Sequence, residues 1–185
     1  MTRRARAIGY AVAWAGLITG AEWWARKSTR GRSQAWLVAY LGLGGLALLS
    51  GARLAPGSGG LSLPGLMLAA IGYPLGRRVM GDHSSDAPPQ HLALELAAIE
   101  VVAVTEELTW AAIVEPELGP AATAALFAAK HVVIDSRWRR GIGLFAFWMG
   151  LAAQRRRWPL AAMLVHAALN AAGVVQGHVS SRDRF

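Results

Sequence analysis

The sequence predicts an all-α, polytopic membrane bundle of about six to eight transmembrane helices. Three observations predict it. Hydrophobic residues make up 54% of the 185, although the formal net charge is +8. The charge is segregated into short basic clusters, RRAR at 3–6, RKSTRGR at 26–32, RR at 77–78, RWRR at 137–140 and RRR at 155–157, with apolar runs between them. Those runs approach the roughly 20 residues that a crossing requires. Basic loops punctuating apolar spans suit anionic headgroups and the positive-inside bias, whereas a nucleic-acid protein would line one face with its basic residues. With no cysteine in the chain, disulfides, thiolate metal sites and thiol nucleophiles are excluded.

Taken in order, the spans begin with AIGYAVAWAGLITGAEWWA from residue 7, which ends in a tryptophan pair suited to an interface anchor. A basic start and small residues near Gly20 also fit a signal peptide. SQAWLVAYLGLGGLALLSGA from 33 and LSLPGLMLAAIGYPLG from 61 follow. The polar, proline-bearing segment GDHSSDAPPQH at 81–91 is the best internal boundary, dividing an N-terminal part at 1–88 from a C-terminal part at 89–185. Four spans then start at 92, 121, 141 and 158, of which the two middle ones are short. With the spans drawn this way, the positive-inside bias places the turn EPELGP, 115–120, outside.

The C-terminal spans differ from the earlier ones in carrying Glu95, Glu100, Glu106, Glu107, Lys130, His131, His166 and Asn170. Ionisable groups at membrane depth are rare, face the bundle interior and mark function by default. Three pieces stand out: the adjacent pair Glu106 and Glu107, FAAKH at 127–131, and HAALN at 166–170. Residues four apart share a helix face, so His166 and Asn170 point the same way. At about 1.5 Å rise per residue, Glu106 lies roughly 12 Å and His131 roughly 17 Å below the EPELGP turn. His166 lies roughly 12 Å below Trp158 on the same membrane side, so three helices bring polar groups to similar depth. Taken singly these residues have plainer roles, as packing histidines, an interhelical polar pair, or an ion pair between Lys130 and the glutamates. A proton relay through a small transporter also accounts for buried carboxylates, but gives no reason for the matched depth.

The ordered set of EE, FxxxH and HxxxN, each on its own apolar helix, resembles the CPBP family of intramembrane proteases, relatives of the CAAX prenyl endopeptidases. The likeness covers about residues 92–176. It implies an active site between helices of the C-terminal half. There Glu106 would activate water and Glu107 would orient it or support the site. His131 and His166 would bind a metal or hydrogen-bond the reacting water and carbonyl, and Asn170 would complete the site as ligand or oxyanion donor. The resemblance further implies a multi-pass protein of the cell membrane, acting on a membrane-associated peptide or protein, with the lipid bilayer as partner and no nucleic acid. Zn²⁺ or another divalent metal held by His131, His166 and Asn170 is one expectation, and a metal-free route is the other. A metal would lower the pKa of bound water; without one, the imidazoles and the amide would position water and stabilise the oxyanion.

The sequence departs from the family pattern at one point. The first motif is usually EExxxR, and here the arginine position is Ala111, followed by Ala112 in place of the usual glycine. Lys130 and Arg137 are the candidates to replace the missing cation. If neither does, the chain reads as an inactive relative, a membrane binding or immunity factor. Neither the spans nor the C-terminal SSRDRF identifies a substrate.

Overall fold

Apolar runs of helical length, free of internal strand signals, fold here as helices throughout. The computed structural model describes residues 2–27, 32–54, 57–79, 92–135 and 138–182, and these are helical with short connections and no strand among them. The elements are α1 (Arg3–Lys27), α2 (Arg32–Leu49), α3 (Leu63–Val79) and α4 (Leu92–Glu106), then a π-helical segment (Glu107–Val114) and α5 (Glu115–Leu118). They continue with α6 (Pro120–Asp135), α7 (Trp138–Arg155) and α8 (Pro159–Arg182). The boundary segment at 81–91 and the alternative cation Arg137 lie outside the described residues.

Local chemistry sets the helix ends. Proline begins both α6 and α8, where its fixed φ suits a first helical position and its missing N–H has no intrahelical partner to lose. Gly119, at φ 81°, closes α5 by donating its N–H to the Glu115 carbonyl, a conformation that glycine adopts without a side-chain clash. The stretch expected as the loop EPELGP is therefore a helical turn followed by a glycine stop.

The two halves of the sequence share one core. Its buried residues include Trp14, Ile18, Tyr40, Leu43 and Ala69 from before residue 88, and Val102, Trp110, Phe127, Phe147 and Leu151 from after it. The closest helix pair spans the same division. α3 and α7 approach until glycines touch backbone. A Cβ on Gly72 would lie 2.6 Å from the Phe147 amide nitrogen and 2.7 Å from the Gly143 carbonyl oxygen. Gly65 and Gly150 make the same kind of approach further along. Backbone cannot rotate aside, so Gly72→Ala must push the helices apart. We expect a loss of at least about 3 kcal/mol, the upper end of overpacking costs. Gly45→Ala on α2 meets nothing within 4 Å and is expected to be neutral or to stabilise by up to about 1 kcal/mol. Thermal unfolding of the two variants checks the contrast; equal melting shifts would overturn it.

Gln154 ties the α7–α8 turn to the segment before α3. Fully buried, it accepts from the Ser62 amide at 2.6 Å and donates to the Gly60 carbonyl at 3.2 Å. Large apolar side chains point outward on several helices. Val12 on α1, Val38 and Leu49 on α2, Leu63 and Ile71 on α3 and Leu164 on α8 are each more than half exposed. Among the described residues one helical stretch, Pro159–Gln176, is long and apolar enough to cross a membrane. Gln34–Leu49 and Leu63–Tyr73 are shorter apolar helical stretches.

Candidate active site

The two glutamates sit where the backbone changes register. α4 ends at Glu106, and Glu107 opens an eight-residue π-helix, Glu107–Val114, in which the Glu115 N–H reaches the Trp110 carbonyl. Such i→i+5 segments are rare and recur at functional sites. Ala111, within this segment, packs against the core.

Both carboxylates are buried, and each has its own cation. Lys130 on α6 donates through Nζ to Glu106 Oε1. Tyr40 on α2 donates its hydroxyl to the same oxygen at 3.4 Å. The Lys130 ammonium is also enclosed by rings: it lies 3.5 Å from the Trp14 ring centre and 4.1 Å from that of Phe127. Rings in that position offer their negative faces to the cation. Glu107 is held from α7. Arg155 Nη1 donates to both of its carboxylate oxygens at 3.1 Å, while Nη2 donates to Glu115 Oε2 at 2.6 Å. Trp148 Nε1 donates to that Glu115 oxygen at 3.2 Å. Arg155 thus ties the π-helix, α5 and α7 together, and its planar fork suits two carboxylates as a lysine would not.

His166 on α8 bridges the glutamates. Its Nδ1 lies 3.0 Å from Glu107 Oε1 and its Nε2 3.4 Å from Glu106 Oε2. Aromatic edges fix the ring, with Phe147 at 5.0 Å and Trp148 at 6.0 Å between centroids. His131 on α6 stacks edge-on with Phe127 at 5.1 Å, one helical turn away. Glu106, His131, His166 and Asn170 all line a single cavity of about 140 Å³. Glu107 does not line it, and stands behind His166 as a support. Glu95 and Glu100, although on the same helix as Glu106, are only partly buried and are not part of the lining.

Two residues central to this network were not singled out from the sequence. Arg155 is the first member of RRR, which reads as loop charge; in the fold it is buried while Arg156 and Arg157 are exposed. Its position as the last residue of an apolar helix, rather than in the turn, was the available signal. Glu115 reads as a turn residue, and nothing local distinguishes it from Glu117. Lys130, weighed both as an ion-pair partner and as the replacement cation, pairs with Glu106, while the guanidinium on Glu107 comes from Arg155.

In this arrangement the carboxylates and His166 are engaged with one another and with Lys130 and Arg155. Glu106 is engaged by the Lys130 ammonium, and His166 Nδ1 faces Glu107 at 3.0 Å. Among the described residues no three His, Asp or Glu side chains form a group able to hold an ion. What the arrangement can do is hold water beside a carboxylate, with N–H donors nearby for a developing oxyanion.

The described residues form an all-helical bundle in which Glu106, His131, His166 and Asn170 share an aromatic-lined cavity. Compared with known proteins, the chain matches no family model, no curated sequence and no solved structure.

Proposed function

We propose that this chain is a multi-pass intramembrane endopeptidase of the CPBP type, hydrolysing a peptide bond in a membrane-associated protein or peptide. One observation carries the reading: Glu106, His131, His166 and Asn170, from three helices, line one cavity, and the second glutamate is braced behind them. In the proposed reaction Glu106 takes a proton from a water in the cavity, and the resulting hydroxide attacks the peptide carbonyl carbon. His166 and Asn170 donate to the oxyanion. Glu106 then passes its proton to the leaving nitrogen as the C–N bond breaks, yielding a carboxylic acid and an amine. Glu107 and Arg155 hold His166 in place. The scheme uses no metal, consistent with Lys130 already facing Glu106.

The membrane assignment is supported by inverted polarity. Large apolar side chains are exposed on α1, α2, α3 and α8, while Glu106, Glu107, Lys130, Arg155 and His166 are buried. Large contiguous apolar surfaces favour lipid or protein contact over water, and charges at membrane depth face the interior.

The test is to reconstitute the protein in liposomes with a library of peptides derived from membrane proteins, and to read new termini by mass spectrometry. We expect discrete cleavages that persist after exhaustive chelation with EDTA and 1,10-phenanthroline. Cleavage abolished by the chelators and restored by Zn²⁺ would overturn the metal-free scheme. The second reading, a non-catalytic membrane binding or immunity factor, is favoured by Ala111 at the motif arginine. Arg155 on Glu107 weakens it, because the glutamate has a guanidinium after all. It would gain if the liposomes yielded no cleavage while cells expressing the chain were protected from a membrane-active peptide.

A further inference from the structure

The residues assigned to chemistry line only part of the cavity. Much of the remainder is aromatic and comes from the half of the chain that carries no motif: Trp14 on α1, Trp36 and Tyr40 on α2, and Tyr73 on α3. These rings brace one another. Trp14 meets Tyr40 edge-on at 5.7 Å, Trp36 lies 5.7 Å from Tyr40, and Tyr73 lies 5.4 Å from Phe147 across the α3–α7 contact. Because that contact is glycine against backbone, the position of Tyr73 is set closely. An apolar cavity of about 150 Å³ holds one benzene molecule. The cavity here is about 140 Å³, so one ring-sized group takes up most of it.

We propose that α1–α3 form the specificity element of this site, selecting a substrate residue that carries one ring-sized apolar side chain beside the bond to be cut. The proposal rests on the hydrolytic reading of the cavity. The carbonyl belongs with His166 and Asn170, and the side chain with Trp36 and Tyr73. A side chain lacking the ring leaves the aromatic lining unfilled; a larger one must displace braced rings. One methylene in such a site is worth roughly 10–200-fold in selectivity, and a whole ring is worth at least as much.

Binding can be read without turnover. Detergent-solubilised wild-type protein is titrated, by calorimetry and ligand-observed NMR, with the N-acetyl methylamides of phenylalanine, glycine and biphenylalanine. We expect saturable binding of the phenylalanine compound at least tenfold tighter than of the other two. Tyr73→Ala enlarges the cavity and should bring the biphenylalanine compound to within twofold of phenylalanine or beyond it. Trp36→Ala, on another helix, provides the same test if the first variant does not fold. Equal binding of all three compounds, or a preference unmoved by either variant, overturns the proposal. Selective binding with no cleavage of any peptide sinks the hydrolytic reading but leaves the size selection standing. Cleavage with no preference for ring-sized residues does the reverse.

Discussion

Glu106→Gln is expected to lower peptide cleavage by at least about 10³-fold, within the range that a positioned general base supplies. The amide keeps the shape of the carboxylate but cannot take the proton from water. The structure makes the experiment less simple than a silent substitution. Glu106 is also the partner of Lys130, and removing one member of a buried pair strands the other charge, at a cost of about 3–5 kcal/mol. Part of that is recovered here, because the ammonium still faces Trp14 and Phe127. The double variant Glu106→Gln with Lys130→Met separates the two effects. It should regain most of the lost thermal stability and remain inactive. Recovery of activity together with stability would show that Glu106 matters only as a structural partner, and would sink its role as base.

Arg155→Met is expected to cost about 3–5 kcal/mol in unfolding, among the largest single losses in the chain. Arg155 is the cation on both oxygens of Glu107 and on one of Glu115, beside the His166 contact to Glu107 and the Trp148 donor to Glu115, and Glu107 has no exposure to water. Methionine preserves apolar bulk, so the loss measures stranded carboxylates rather than a cavity. Arg155→Lys should restore only part of the stability, since one ammonium cannot span two carboxylates with the same fork. Adding Glu107→Gln to Arg155→Met removes the more deeply buried stranded charge and should restore more than half of the loss, read as melting temperature in a double-variant cycle. A melting temperature for Arg155→Met within a degree or two of wild type would mean that the guanidinium is solvated in solution and does not brace the site.

Helices and polar candidates were legible because both are local properties. Apolar runs of sufficient length place α1–α4 and α6–α8 near where they form, and the i, i+4 spacing puts His166 and Asn170 on one face. Counting residues from the EPELGP turn for Glu106 and His131, and from Trp158 for His166, brought the three to matched depth, and they line the same cavity. The π-helical register after Glu106 was not legible. It replaces one hydrogen-bond ladder by another over the same residues, and no residue type there demands it.

By itself the sequence determined an all-helical chain with segregated charge, and it singled out Glu106, Glu107, His131, His166 and Asn170 as the polar groups to watch. Only the tertiary structure decided which cation serves which carboxylate. The guanidinium on Glu107 comes from Arg155, 48 residues further along the chain. It also decided that helices without a motif supply the aromatic lining of the cavity. The physical reason is the same in both cases. Helix formation is settled within a few turns by spacing and composition, whereas the partner of a buried charge depends on how each helix is rotated about its axis and on which neighbour its small residues let come close.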